Sequence, residues 1–357
     1  MNELENFILM SKYAGERFDI VQAGGGNSSV KLEDGSMLIK ASGFSLSEIT
    51  NEKGYVKLDN KKVNEVLSNS ELLEITDKRK REKASSDLIG NCILDSTGKP
   101  SIETFLHSLL GKYTLHTHPI AVNAITVQKD WKEILTGIFP NAVFVDYKTP
   151  GIELALELQK ELNIFQKDNG NIPQILFLQN HGLIVSSSSY EVVIELNESV
   201  LEKLENYLGL DFTANKNVTK ISKLYNSIYR NQSITYLIRS QFLNSVLKDK
   251  RELFFLDSFC PDGQVFCGRK ALNLESLDDA DAFFVFEKEF YHPARIILYK
   301  DNLYAIAPNV KKAKEMEDVL EFQISSLFYS KENRNFLEKE EVIYLENWDA
   351  EKYRQKL

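Results

Sequence analysis

The chain has 357 residues, of which 43% are hydrophobic and 27% are charged, and its formal net charge is −9 at pH 7. This is the composition of a globular protein with room for two domains. The negative charge argues against nucleic acid or an anionic membrane surface as a partner. No apolar run reaches the roughly twenty residues that cross a bilayer, and three cysteines do not make a disulfide framework. The first residues lack the basic start of a signal peptide, so we expect a cytoplasmic protein.

The first fifty residues predict a helix, two turns and a strand. Apolar residues at helical spacing favour a helix over residues 4–14, ending at Gly15. Residues 24–29 include three successive glycines, so we expect a loop that can turn several backbone N–H groups toward one anion. A plain hairpin turn is the alternative. Residues 36–40 indicate a strand, and residues 41–43 a second turn of small residues.

Two histidines on one strand face are the first indication of a metal site. Residues 113–118 indicate a short strand, in which side chains alternate between the two faces, so His116 and His118 share a face. Two imidazoles at this spacing can bind one metal ion. The alternative is that each histidine is a hydrogen-bonded structural residue, because the pattern His-x-His also arises by chance.

A third ligand must come from elsewhere in the chain. The other histidines are His107, His181 and His292. His181 is the best candidate, because it follows an apolar strand over residues 174–179, where side chains face a cleft. Three histidine ligands leave a fourth position open, which is the pattern of a catalytic zinc site.

A carboxylate precedes the histidine pair on a predicted helix. Residues 101–110 begin a helix that runs toward the strand, with Glu103 and His107 one turn apart on one face. A partly desolvated carboxylate beside a metal site is a natural general base. His107 could be a fourth ligand, but we expect a structural role, because the site needs an open position.

The remainder of the chain is organised by alternating apolar segments. The charged run 77–83 indicates a solvated helix face or loop, and residues 211–218 a polar linker at a domain boundary. No internal repeat is evident. The remaining elements expected are strands over 142–147, 174–179, 264–267, 282–287, 295–299 and 303–307, and helices over 151–161, from Ser188 or Ser189 to 208, and from Asn309 onward.

Five segments taken together resemble the class II (zinc-dependent) aldolase/adducin family, which includes the fuculose- and rhamnulose-phosphate aldolases. They are GGGNSSVKL, LIKASGF, PSIETFLH, LHTHP and QNHGLIV. The resemblance implies that residues 1–212 form a three-layer α/β/α fold with a mostly antiparallel central sheet. Residues 219–357 would form a smaller α+β domain of unclear role. Its segments PDGQVFCGRKAL and LYAIAPNVKKAKEMEDV weakly resemble the aldolase portion of rhamnulose-phosphate aldolase/dehydrogenase fusions.

The resemblance also implies an activity. It is that of a zinc-dependent aldolase, a lyase that cleaves or forms a carbon–carbon bond in a phosphorylated ketose through a metal-stabilised enediolate. One Zn²⁺ per chain would be bound by His116, His118 and His181, with Glu103 as the base. The alternatives are a zinc-dependent epimerase, dehydratase or decarboxylase of the same fold, and a non-catalytic adducin-like module. Family aldolases are cyclic tetramers, so a homo-oligomer is expected.

A phosphate pocket is implied by the same resemblance. The matching residues are Gly26, Asn27, Ser28, Ser42, Gly43 and Ser101. The chain departs from the simple aldolases at one position, because Ile102 stands where they usually have a second serine before the catalytic Glu. The substitution removes one hydroxyl from the pocket.

Overall fold

The computed structural model describes residues 2–96 and 98–347. The chain divides into two compact units, an N-terminal unit (Met1–Phe212) and a C-terminal unit (Thr213–Leu357). Each unit has its own sheet and its own hydrophobic core. Among the described residues, no helix combines the length and the apolar character needed to cross a membrane.

The N-terminal unit consists of eight strands and nine helices in the described residues. The strands are β1 (Asn27–Lys31), β2 (Ser36–Lys40), β3 (Tyr55–Asp59), β4 (Ile93–Ser96), β5 (Tyr113–Thr117), β6 (Val143–Val145), β7 (Ile175–Leu178) and β8 (Gly182–Ser187). The helices are α1 (Glu3–Gly15), α2 (Asn60–Leu67), α3 (Ser70–Glu74), α4 (Lys78–Gly90), α5 (Thr104–Ser108), α6 (Ile120–Thr126), α7 (Trp131–Ile138), α8 (Ile152–Asn169) and α9 (Tyr190–Leu208), with a 3₁₀ turn at Leu46–Glu48.

The eight strands form one sheet in the order β4-β3-β2-β1-β5-β8-β7-β6. Among the described residues, neighbouring strands are antiparallel except β6 and β7, which are parallel. One face packs on α1, α6, α7 and α9, and the other on α2, α3, α4, α5 and α8. The unit is therefore the expected three-layer α/β/α fold with a mostly antiparallel sheet.

Local sequence signals explain several boundaries in this unit. Asn2 caps α1 in a capping box with Glu5. Asp77 caps α4, so the charged run 77–83 is the solvated start of a helix. The glycine loop is shorter than expected, because the chain is already a strand from Asn27 onward. The predicted helix at 101–110 is also shorter, since Glu103 is the residue before α5.

The C-terminal unit has four strands and five α-helices in the described residues. The strands are β9 (Ile234–Leu237), β10 (Ala271–Leu274), β11 (Ile296–Tyr299) and β12 (Asn302–Ala307). The helices are α10 (Thr213–Tyr229), α11 (Gln241–Asp249), α12 (Ala280–Phe290), α13 (Val310–Tyr329) and α14 (Lys339–Asn347), with a 3₁₀ turn at Arg251–Phe255 and a π-helical turn at Gly263–Cys267.

Three sequence predictions in this region are wrong. Residues 282–287 belong to helix α12 and not to a strand: Phe283 and Phe286 are buried while Phe284 and Val285 are exposed, which is helical spacing inside a short apolar run. Residues 264–267 form the π-helical turn. The predicted linker 211–218 is helical from Thr213 onward, because α10 packs Val218 and Ile221 into the core.

The C-terminal unit repeats the topology of the second half of the N-terminal unit. In the N-terminal unit, α5 and β5 are followed later by β6, α8, β7, β8 and α9. In the C-terminal unit, α10 and β9 are followed later by β10, α12, β11, β12 and α13. The strand order is β5-β8-β7-β6 in one unit and β9-β12-β11-β10 in the other. The parallel pair is β6–β7 in the first and β10–β11 in the second. No internal repeat was evident in the sequence, so the repeat is one of fold.

The pairing register of the first strand is also repeated. Tyr113 of β5 lies opposite Ser187, the last residue of β8, and Ile234 of β9 lies opposite Ala307, the last residue of β12. Equivalent positions of β5 and β9 therefore place their side chains on the same face of their sheets.

The outer edge of the first strand differs between the units. In the N-terminal unit it pairs with β1. In the C-terminal unit the edge of β9 is covered by side chains of α10: the N–H of Thr235 donates to Ser222 Oγ at 2.8 Å, and the N–H of Ser233 donates to Asn226 Oδ1 at 3.1 Å.

A buried histidine joins α5 to β1. His107 is fully buried, and its Nδ1 lies 2.8 Å from the hydroxyl of Ser29. Its Nε2 is buried without a hydrogen-bond partner among the described residues. Burial lowers the pKa of His107 from 6.5 to about 4, although the nearby Glu103 carboxylate opposes this change. These contacts support the expected structural role of His107.

We therefore predict a pH-dependent contribution of His107 to stability. The folded protein keeps this imidazole neutral down to about pH 4, whereas the unfolded chain protonates it below about 6.5. The contribution is complete above 6.5 and is lost as the pH falls toward 4, which amounts to about 3 kcal/mol. In His107→Asn, which cannot titrate, urea unfolding at stepwise pH should show a correspondingly smaller loss of stability between neutral pH and pH 4. Equal losses in both proteins would contradict the prediction.

Candidate active site

Three histidine side chains converge at one edge of the N-terminal sheet. His116 and His118 come from the end of β5, and His181 from the turn between β7 and β8. The Nε2 atom of His116 lies 3.0 Å from that of His118 and 3.3 Å from that of His181. The three rings form the one group of candidate metal ligands among the described residues.

The donor set fits a divalent metal ion. Nδ1 of His116 lies 3.0 Å from the backbone carbonyl of Leu183, so this nitrogen carries the proton and Nε2 presents a lone pair. Such a lone pair, close to two other imidazole nitrogens, needs either a proton or a cation between them. Tetrahedral zinc with bonds of 2.0–2.1 Å separates its ligand nitrogens by about 3.3 Å, close to the distances observed.

The pKa values of His116 and His118 also suit metal binding. Burial lowers the pKa of His116 well below its usual value and that of His118 to about 4, and the Glu103 carboxylate offsets this only in part. Both rings are therefore neutral near pH 7. Neutral imidazole is the form that binds a metal ion.

A carboxylate lies beside the histidine cluster. Glu103 is 6% exposed, with Oε1 3.1 Å from Nε2 of His181 and Oε2 3.7 Å from Nε2 of His116. Asn27 Nδ2 donates a hydrogen bond to Oε2. Burial by itself raises the pKa of Glu103, but the imidazoles of His116 and His181 outweigh it and hold the pKa below its usual range. Glu103 is therefore an ionised carboxylate that can accept a proton.

Strand pairing decides which residues of β1 reach this cleft. Asn27 lies directly opposite His116 in the β1–β5 pair, which brings its amide to Glu103. Ser28 has its side chain on the other face, because strand side chains alternate, and its hydroxyl lies 2.7 Å from that of Ser11 on α1. The structure therefore places Asn27 in the cleft and the Ser28 side chain outside it.

Two glycines before β1 allow the loop to approach the histidines closely. A Cβ at position 25 would lie 2.9 Å from Nδ1 of His118. Gly26 has φ +72°, and a Cβ there would lie 2.9 Å from the carbonyl of His116. Larger residues would push the loop away from the cleft.

The remaining predicted phosphate residues lie on two adjoining segments. Ala41 forms a β-bridge with Pro100, and the N–H of Ser42 donates to the carbonyl of Lys99 at 2.8 Å. The turn holding Ser42 and Gly43 therefore lies against the segment that leads into Ser101. Ser101 Oγ in turn accepts a hydrogen bond from the N–H of Glu103 at 3.2 Å. Ser42 and Gly43 are exposed.

Sequence reasoning missed one residue that organises these loops. Lys40 is 3% exposed, and its Nζ donates to the carbonyls of Phe44 at 2.7 Å, Gly24 at 3.4 Å and Ala41 at 3.5 Å. It therefore links the glycine loop to the small-residue turn. Burial lowers its pKa, and the attraction of Glu103 opposes that change. The segment LIKASGF contained the residue, but nothing in its pattern distinguished Lys40 from an exposed strand lysine.

Ile102 differs in burial from the two site residues that flank it in the sequence. Its side chain is 56% exposed although it lies between the buried residues Ser101 and Glu103. An exposed aliphatic side chain beside a polar cleft adds an apolar surface that a bound ligand can contact.

A comparison with protein families identifies the family of the N-terminal unit. Residues 8–208 match the family described as "Class II Aldolase and Adducin N-terminal domain". No protein with a curated description matches the chain.

Three solved structures are similar to part of this chain. The N-terminal class II aldolase domain of a conserved protein from Thermoplasma acidophilum is 24% identical, with a TM-score of 0.49, and the match covers 58% of this chain and 94% of that one. A sugar-phosphate aldolase from Thermotoga maritima is 18% identical, with a TM-score of 0.38 and coverage of 58% and 97%. The l-fuculose-1-phosphate aldolase from Thermus thermophilus is 16% identical, with a TM-score of 0.37 and coverage of 58% and 95%.

The family match spans more than half of the chain and includes the histidine cluster, Glu103 and the glycine loop. The chain therefore belongs to the class II aldolase and adducin family.

Proposed function

We propose that this protein is a zinc-dependent lyase that breaks or forms a carbon–carbon bond in a small phosphorylated ketose. The observation that carries the proposal is the position of the ionised Glu103 carboxylate, 3.1 Å from Nε2 of His181 beside the convergent imidazoles. A non-catalytic module has no need for a buried carboxylate next to an open metal site. We further propose a cytoplasmic homo-oligomer.

His116, His118 and His181 would hold the metal ion through Nε2, and Leu183 fixes the tautomer of His116 that makes this possible. When bound, a divalent ion supplies Lewis-acid stabilisation of negative charge on the substrate's oxygens. Glu103 removes the proton from the carbon next to the substrate carbonyl and returns it in the reverse direction. The amide of Asn27 orients the carboxylate for this transfer.

The anionic end of the substrate would lie in the loops on the other side of Glu103. Gly26 and Gly43 offer backbone N–H groups in turns, and Ser42 and Ser101 offer hydroxyls. The ammonium group of Lys40 lies beneath these loops and adds positive charge. At position 102 the chain has the exposed aliphatic side chain of Ile102 in place of a serine hydroxyl.

The first prediction concerns the metal. The purified protein should contain about one equivalent of a divalent metal ion, because three imidazole nitrogens converge on one site. His116→Ala or His181→Ala should lose it, as measured by elemental analysis after dialysis. His107→Asn is the matched control, since His107 is buried nearby but bonds Ser29, and it should keep the metal. Equal metal content in all variants would refute this site.

A second prediction tests the base. When the protein is incubated with dihydroxyacetone phosphate in D₂O without any aldehyde, one prochiral hydrogen of the ketone should exchange with deuterium. The exchange is followed by NMR. Glu103→Gln should slow the exchange by about 10²–10⁴-fold, the usual contribution of one acid–base group, without loss of metal. Glu52→Gln, an exposed carboxylate in the same unit, should exchange at the wild-type rate.

The outcome of this experiment also separates the candidate activities. Exchange that is absent with dihydroxyacetone phosphate but present with a tetrulose or pentulose phosphate would favour an epimerase or dehydratase. No exchange with any phosphorylated ketose, in protein that holds its metal, would contradict the catalytic proposal.

A third prediction concerns the anionic group. A phosphorylated ketose should raise the melting temperature more than its unphosphorylated counterpart. A ligand that binds only the folded state stabilises it more when its affinity is higher, and the phosphate should add contacts in the pocket. Ser42→Ala should reduce the difference, whereas Ser68→Ala, an exposed serine at the end of α2, should not. Equal protection by both ketoses would mean that Ile102 marks a different substrate class.

A further inference from the structure

In the C-terminal unit, the edge of the sheet that corresponds to the metal site carries different residues. The repeated register makes Leu237 the equivalent of His116 and Arg239 the equivalent of His118. The β11–β12 turn holds Lys300 and Asp301 where the β7–β8 turn holds His181. Leu, Arg and Lys are not zinc ligands, and Asp301 alone does not make a three-ligand group, so this edge does not repeat the metal site of the N-terminal unit.

A cavity lies at the opposite end of the same sheet. It has a volume of about 230 Å³ and is bordered by Ser233 just before β9, Arg295 just before β11 and Ala307 at the end of β12. Other residues that line it are Tyr225, Val265, Phe266, Ile306, Lys312 and Met316. No carboxylate is among the described residues that line it.

The buried polar group of the cavity is a phenol. Tyr225 is 7% exposed and packs against Tyr229 and Phe283, so the surrounding rings fix its orientation. Within residues 2–96 and 98–347 no hydrogen-bond partner is found for its hydroxyl. Burial, supported by the charge of Glu287, raises the pKa of Tyr225 to about 12 despite the nearby Arg295. The hydroxyl is therefore protonated at neutral pH and can donate to a ligand.

Two cations complete the polar side of the cavity. Nη1 of Arg295 donates to the carbonyls of Gln264 and Val265, which fixes the guanidinium group against the π-helical turn. Such turns frequently occur at functional sites. Lys312 lies in the first turn of α13, a 20-residue helix with no acidic residue in that turn. The helix dipole therefore adds to the positive potential.

Lys312 has a neighbouring carboxylate, which limits but does not cancel this potential. Its Nζ lies 3.0 Å from Oε2 of Glu315, and the two side chains are 22% and 36% exposed. A partly exposed pair of this kind is weak, so a ligand anion can compete with Glu315 for the ammonium group.

We propose that the C-terminal unit binds a small organic anion, a carboxylate or phosphate monoester with a short apolar body, in the cavity lined by Tyr225, Arg295 and Lys312. The hydroxyl and the two cations bind the anionic group. Val265, Phe266, Ile306 and Met316 contact the apolar body. The cavity volume of about 230 Å³ suits a small anion of this kind.

Hydrogen exchange of the full-length protein provides the test, with butanoate and inorganic phosphate as probes. Either probe should slow exchange around the π-helical turn at Gly263–Cys267 and the start of α13 in the wild type. Lys312→Glu should weaken this protection on the order of tenfold, because it reverses a charge at the cavity. Lys311→Glu is the matched control: it makes the same charge change on the adjacent, exposed residue outside the cavity and should behave as wild type.

Binding at the N-terminal site would not explain a difference between Lys311→Glu and Lys312→Glu, because the two variants carry the same charge change at adjacent positions and the exchange is read locally. Tyr225→Phe should also weaken protection while the far-UV circular dichroism stays unchanged. Protection by butanoate alone or by phosphate alone would identify which anionic group the cavity prefers. No protection by either probe, or equal protection in Lys311→Glu and Lys312→Glu, would overturn the proposal. His116→Ala should retain the effect even if the proposed lyase activity is wrong.

Discussion

The register between β5 and β8 is the constraint on which the candidate active site depends. His116 lies opposite Ile184 in this pair, with its ring on the α5 and α8 face of the sheet. The turn of the β7–β8 hairpin then places His181 beside His116. A slip of one residue would turn His116 to the other face and separate the ligands. The buried hydrophobic residues of β8, which fix the register, therefore also fix the geometry of the metal ligands.

The part of the site that follows from period and spacing could be predicted from the sequence. The alternation of β5 indicated that His116 and His118 share a face, and the strand before His181 indicated a cleft. The role of Lys40 could not be predicted, because it depends on carbonyl groups of two loops whose approach is a tertiary feature. To predict which face of the sheet the Ser28 side chain lies on, one must know where β1 begins. The three glycines before Asn27 predicted a loop there, so this start was not evident.

The C-terminal half was harder to predict for a different reason. The apolar run in α12 is too short to distinguish helix from strand by periodicity alone, and Asp279, which caps the helix, is separated from that run. The repeat of fold was not evident in the sequence, because topology and register need only buried apolar residues of suitable size. Residues at strand ends, such as Leu237 and Arg239, can differ from His116 and His118 without loss of the core. The two units thus show how one scaffold can separate folding from chemistry, since one can hold a metal site while the equivalent strand positions of the other carry Leu237 and Arg239.

The covering of β9 by α10 has a consequence for the behaviour of the protein at high concentration. An uncovered outer strand offers a row of free N–H and C=O groups on which a second chain can pair and polymerise. Ser222 and Asn226 already occupy the backbone groups of Thr235 and Ser233. At its β9 edge the sheet therefore offers a second chain fewer free backbone groups for pairing, although no further strand among the described residues of the unit covers this edge.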